Sequence, residues 1–196
     1  MPNLKIKDLS LEVLSDNWYT LRKATYQYQR PDGSWQTQYR EAYDRGNGAG
    51  ILLYDKERRV VLLTKQFRLP TYINGNDDGM MVEVCAGLLD EDNPDVAIIR
   101  EVLEETGYEI TEVEKVMEAY MSPGSVTEIL YLYIAPYDLS MKVNQGGGVE
   151  DEQEDIETFE ISMEQAMFMI KSGDIKDAKT IMLLQHVDRV GWEGLG

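Results

Sequence analysis

Histidine and cysteine are nearly absent from this sequence: 196 residues contain one of each, His186 and Cys85. A lone cysteine cannot close an internal disulfide. Cys85 lies in the apolar run Met81-Val82-Glu83-Val84-Cys85-Ala86, where a buried, reduced thiol is expected. A lone histidine excludes zinc sites built on several imidazoles, and a serine–histidine triad would depend on His186 alone. Its place in a C-terminal helical stretch reads as a core or surface histidine. The chain also lacks a run of about eighteen or more apolar residues, which argues against a membrane span. The N-terminal Met-Pro-Asn-Leu-Lys-Ile-Lys has no continuous apolar stretch of the secretory kind. Together these absences lead us to expect a cytoplasmic protein.

Positive charge is scarce as well. Nineteen Lys and Arg against 36 Asp and Glu leave a formal net charge of −17. Free-standing nucleic-acid binders carry the opposite footprint, so no nucleic-acid partner is expected. An anionic substrate would be repelled unless a cation intervened. The acidity therefore hints at a metal, although it also serves solubility. With imidazole and thiol so rare, hydrolytic chemistry here would run on carboxylates and a hard cation.

With 43% apolar residues, the chain suffices for one packed domain plus an accessory element. Residues 5–14 and 18–29 alternate apolar and polar positions, as half-exposed strands do. Pro31-Asp32-Gly33-Ser34 is a turn, and a further strand follows over 34–43. These segments are too polar and aromatic for a core sheet and read as an accessory hairpin that covers something, with a partner subunit as one option. Compact apolar runs over 49–54, 60–64 and 80–85 fit buried strands. A helix is predicted over 94–106, strands over 112–120, 127–135 and 156–161, and helices over 163–172 and 177–190. Strands enclosing helices in mixed order indicate an α+β or α/β/α sandwich.

The helix over 94–106 carries the chemistry. Asp92 or Asn93 can cap it, Pro94 suits its first position and Gly107 its end. At about 100° per residue, Glu101, Glu104 and Glu105 share a face, with Val96, Ile99 and Leu103 expected opposite and buried. Arg100 is within pairing reach of Glu104. Like charges so arranged repel, which leaves two readings: a solvated helix face, or a ligand set for a divalent cation. The upstream Ala86-Gly87-Leu88-Leu89 favours the second, since a glycine lets backbone approach a ligand or metal closely.

Gly87 followed by Arg100-Glu101-Val102-Leu103-Glu104-Glu105-Thr106-Gly107-Tyr108 resembles the Nudix box. Its second half matches the family pattern throughout. In the first half Asn93 stands where the family has glutamate and the spacing is one residue short, leaving Asp92 as the nearest substitute. Tyr43–Gly48, Gln66-Phe67-Arg68, Met121–Glu128, Gly146–Glu152 and Asp177–Thr180 extend the resemblance to the branch acting on nucleoside diphosphate sugars.

The resemblance implies an α+β Nudix α/β/α sandwich spanning 46–196, with an N-terminal β-hairpin extension over 1–45 exchanged in a homodimer. It implies Mg²⁺, with Mn²⁺ as an alternative, held by the Ala86 carbonyl, Glu101, Glu105 and a carboxylate of the 150–155 loop, Glu104 supporting or ligating. Glu152 or Glu154 would be the catalytic base, Glu152 slightly favoured. Substrate contacts implied are Trp18, Arg40, Glu41, Arg68, Gly87, Leu88, Glu128, Asp151 and Lys179. The plainer readings are that Trp18 packs the hairpin and that Lys179 is a solvated helix residue. The implied reaction is hydrolysis of GDP-mannose to GMP and mannose 1-phosphate. Hydrolysis of ADP-ribose to AMP and ribose 5-phosphate is the alternative, and a non-catalytic nucleotide-sugar sensor a third reading.

Overall fold

The computed structural model describes residues 5–89, 93–149 and 154–196. The chain divides into two units, residues 1–47 with 120–129, and residues 48–119 with 130–196.

In the first unit, β1 (Ile6–Asp16), β2 (Thr20–Gln29) and β3 (Trp35–Asp44) form an antiparallel meander. The turn between β2 and β3 falls at Pro31–Ser34, where Gly33 takes a positive φ of 85° and Asp32 accepts from the Ser34 amide. The extension is thus a three-stranded sheet, built from the three strands expected from the alternating segments. Leu9, Leu11, Val13 and Leu14 of β1 are all exposed. The 120–129 segment joins this unit through Tyr43, whose amide donates to the Ser125 carbonyl at 2.8 Å.

The second unit is built on a seven-stranded sheet. β4 (Gly48–Asp55), β5 (Val60–Phe67), β8 (Glu114–Tyr120), β9 (Ile129–Pro136) and β10 (Glu157–Ser162) run in the order β10-β5-β4-β9-β8, with β4 and β9 parallel. β4 and β5 pair only from Leu53 to Asp55 and then part. The gap is filled by β6 (Met80–Glu83) on β5 and β7 (Cys85–Leu88) on β4. The apolar run at 80–85 is therefore two strands hinged at Val84. Every residue of β4 is buried, because α2 (Pro94–Thr106) covers one of its faces and α4 (Ala178–Val190) the other. Continuous apolarity is what a strand covered on both faces requires. Ile51, Leu53, Ile98, Val102 and Tyr133 join in the core on the α2 side. α3 (Met163–Ser172) packs on α4. A one-turn helix, α1 (Leu69–Ile73), follows β5, and it is too short for its sequence to have announced it.

Helix α2 has the predicted ends: the Asn93 side chain accepts from the Asp95 amide, Pro94 opens the first turn, and Gly107 caps with φ 75°. Its buried face differs from the expectation. Ala97, Ile98, Val102, Glu105 and Thr106 are buried, whereas Val96 is 59% exposed. Residues 97, 98, 101, 102 and 105 form one i, i+3/i+4 stripe, so Glu101 and Glu105 lie along the core-facing side rather than opposite it.

Candidate active site

The junction of β7 with α2 gathers the acidic residues. The Ala86 amide donates to Glu105 Oε2 at 3.3 Å. A Cβ built on Gly87 would overlap the Glu101 carboxyl group, so only glycine admits that side chain against the strand. The third carboxylate arrives from a distant loop. Gly147 and Gly148 donate to the carbonyls of Glu105 and Glu104 at 2.8 and 3.1 Å, hooking onto the last turn of α2. A Cβ on Gly146 would strike the Glu105 carbonyl at 2.5 Å, and φ is positive at all three glycines. Beyond them, Glu154 returns against Gly148, and its Oε2 accepts from the Val149 amide at 3.2 Å.

Glu105 is 1% exposed. Burial raises its pKa, and the charges of Glu101 and Glu154 raise it further. Hydrogen bonds from the Cys85 thiol and the Ala86 amide only partly oppose them, leaving a value of about 8. Cys85 is buried and free, as its setting predicted, and burial with the nearby Glu105 pushes its thiol well up. Carboxylates gathered about a buried position are what a hard divalent cation satisfies. Among the described residues no three acidic, thiol or imidazole groups close into a complete ligand set. The donor chemistry nevertheless fits a hard divalent cation. Glu104 is half-buried on the same helix, with its carbonyl engaged by Gly148. Leu88 ends β7.

Beside this centre lies a buried ion cluster. Glu83 accepts two bonds from Arg68, Nε to Oε1 at 2.8 Å and Nη2 to Oε2 at 3.0 Å, and one from Lys179 Nζ at 2.6 Å. Lys179 also pairs with Asp177 at 3.1 Å. Burial works to raise the Glu83 pKa, but Lys179 and Arg68 overcome it and hold the carboxyl at about 2. Lys179 is buried, so it is not a solvated helix residue. Glu83 did not stand out in the sequence, although a lone charge within an apolar strand run was the available signal.

Trp18, Arg40, Glu41 and Glu128 belong to the first unit. Trp18 is 82% exposed and so does not pack the sheet. Arg40 and Glu41 are exposed on β3, where Arg40 donates to the Tyr39 carbonyl and Glu41 lies opposite Lys23. Glu128 pairs with Arg45 at 3.4 Å. Asp92, Asp151 and Glu152 lie outside the described residues. A shallow cleft of about 320 Å³ lined by Met117, Met182, Gln185, His186 and Arg189 contains none of the acidic residues.

Residues 44–184 match the profile of the NUDIX domain, and residues 5–43 that of the GDP-mannose pyrophosphatase NudK N-terminal domain. The chain belongs to the Nudix family. It is 49% identical over 189 residues to a GDP-mannose pyrophosphatase of Cronobacter sakazakii, covering 96% of this chain and 98% of that one. Proteins of the same name from Pectobacterium atrosepticum and Escherichia coli are each 52% identical, covering 94% and 93% of this chain and 95% and 93% of their own. Among solved structures, one titled as an ADP compounds hydrolase superposes with a TM-score of 0.70 at 17% identity, covering 95% of this chain and 94% of that one, a likeness of fold. The Nudix box and the α+β Nudix architecture expected from the sequence are thereby confirmed.

Proposed function

We propose that this chain hydrolyses the diphosphate of GDP-mannose, giving GMP and mannose 1-phosphate, with Mg²⁺ as cofactor and Mn²⁺ as a substitute. The observation that carries the reading is the gathering of carboxylates at this junction: Glu101 packs on Gly87, Glu105 accepts from the Ala86 amide, and the charges of Glu101 and Glu154 help displace the pKa of buried Glu105 to about 8. The choice of nucleotide sugar is supported by relatives about 50% identical over nearly the whole chain.

When bound, the cation offsets the diphosphate charge and makes water more acidic. Glu101, Glu105 and the Ala86 carbonyl would hold it. Arg68 and Lys179 bind phosphate oxygens from the Glu83 cluster. Glu154 takes the proton from the attacking water. Its support is its charge acting on Glu105 and its anchoring to Val149 and Gly148. Trp18 offers an exposed flat face to a base.

The extension over 1–45 serves a homodimer in this proposal, its exposed β1 leucines and Val13 being the surface that a second copy covers. Arg40 and Glu41 then reach the partner's substrate. A cytoplasmic location belongs to the same reading; among the described residues no helix is long and apolar enough to cross a membrane.

The deciding assay offers purified protein with Mg²⁺ three substrates, GDP-mannose, ADP-ribose and a dinucleoside polyphosphate, and resolves the products by chromatography. Release of GMP and mannose 1-phosphate with the highest kcat/KM is expected. Preference for ADP-ribose would overturn the substrate choice, and no turnover of any would overturn the enzyme.

A further inference from the structure

A buried glutamate at the end of a strand needs a reason, because a leucine there would fill the same space without desolvating a charge. Glu83 ends β6, is 3% exposed, and has Thr64 as its ladder partner on β5. One cation would neutralise it. It has two, from separate elements: Arg68 just after β5, and Lys179 in the first turn of α4. α4 is fixed in turn, since Asp177 caps it through Thr180, whose hydroxyl accepts from the Val84 amide at 2.8 Å. Strand and helix are therefore locked together around one carboxylate.

The members of the cluster are unequally exposed. The side chains of Glu83 and Lys179 are 4% and 10% exposed, that of Arg68 39%. Arg68 gives one edge of its guanidinium, Nε and Nη2, to Glu83, while its Nη1 makes no hydrogen bond to a described residue. A planar fork held on one edge presents the other at a fixed angle, and that geometry binds the paired oxygens of a phosphate. The neighbouring Glu105 favours the charged form of Arg68, so the fork lies within electrostatic reach of the acidic centre.

We infer that Glu83 is a positioning residue for diphosphate binding, clamping Arg68 and Lys179 so that the open guanidinium edge is aimed before substrate arrives. The inference rests on Arg68 being a phosphate contact, as proposed above. It adds that the contact works only because the opposite edge is anchored. A free arginine would surrender side-chain entropy on each binding event; an anchored one has surrendered it on folding.

The test uses Glu83→Asp, which keeps the buried charge and shortens its reach, beside Glu83→Gln, which risks unfolding because, among the described residues, it leaves Lys179 buried with Asp177 as its one ion-pair partner and Arg68 with none. Each is made alone and in an Arg68→Ala background, and thermal melts identify the folded variants. Calorimetric titration with inorganic pyrophosphate and Mg²⁺ reads anion binding without turnover. Glu83→Asp is expected to weaken pyrophosphate binding about tenfold in the parent protein and less than twofold in the Arg68→Ala background. Parent-like affinity in Glu83→Asp would overturn the inference, as would an equal loss in both backgrounds or a parent protein that does not bind pyrophosphate. With nucleotide sugar, KM should rise while kcat changes less than threefold; a fall in kcat at constant KM would also overturn it. If the protein binds pyrophosphate yet cleaves no nucleotide sugar, the substrate reading falls, and the binding arm still decides the role of Glu83.

Discussion

Replacing Glu105 by glutamine separates the two demands placed on this buried carboxyl. The native pKa of about 8 lies far above the ordinary 4.5. Below 4.5 both native and unfolded states hold the proton, and the group does not affect stability. Between 4.5 and about 8 the unfolded state releases it and the native state keeps it, so stability falls as pH rises. Above both values the accumulated loss is roughly 4–5 kcal/mol, at about 1.4 kcal/mol per pH unit. Glutamine never ionises and escapes this loss while preserving shape and the acceptor for the Ala86 amide. Metal-free Glu105→Gln should therefore melt close to the parent near pH 5, and at pH 9 about 10 °C or more above it, at roughly 2–4 °C per kcal/mol for a chain of this size. The difference between the two proteins cancels the titration of the other carboxylates. With Mg²⁺ the order should reverse: the parent gains melting temperature with added metal, more at pH 8.5 than at pH 6 where a proton must be displaced, and the variant gains little. Melts by circular dichroism across pH, with EDTA and with Mg²⁺, provide the measurement. A constant offset between the two proteins at every pH would refute the reasoning.

Other substitutions probe neighbouring parts of the site. Gly87→Ala should fold but lose activity at least a hundredfold, since its methyl displaces the Glu101 carboxyl; assay at saturating Mg²⁺ checks this. Glu154→Gln should lower kcat by about 10²–10⁴ and Glu152→Gln far less, as general-base contributions run; the opposite ranking would move the base to Glu152. Asn93→Ala removes a helix cap and should cost about 1 kcal/mol, a melting shift of roughly 2–4 °C, with KM unchanged.

The parts of this molecule that were legible in its sequence are those governed by local rules. Asn93, Pro94 and Gly107 mark both ends of α2 because capping and positive φ are short-range demands. The runs at 49–54 and 60–64 read as buried strands because both faces of the sheet are covered. The face that α2 turns inward differs from the expected one because Val96, Ile99 and Leu103, the apolar residues opposite the glutamates, were expected to form it. Glu101 and Glu105 instead share the stripe with Ala97 and Ile98, as acids do when they line an interior site. Glu83 went unremarked because its partners, Arg68 and Lys179, are 15 and 96 residues away in sequence. The choice between Glu152 and Glu154 depends on how a loop folds back on α2, which spacing alone does not specify.

That loop has a consequence for how such sites diverge. Its ends are stapled: Gly147 and Gly148 to the last turn of α2, Ile156 to the Gly147 carbonyl at 3.1 Å, and Glu154 to Val149 through its own amide and its carboxylate. A segment closed at its base can change length at little cost, because closure entropy grows only with the logarithm of its length. Residues can be gained or lost between Val149 and Glu154 while the carboxylate keeps its place over the helix. The clasp thus holds the Glu154 carboxylate on the helix through contacts that do not depend on how much chain lies between them.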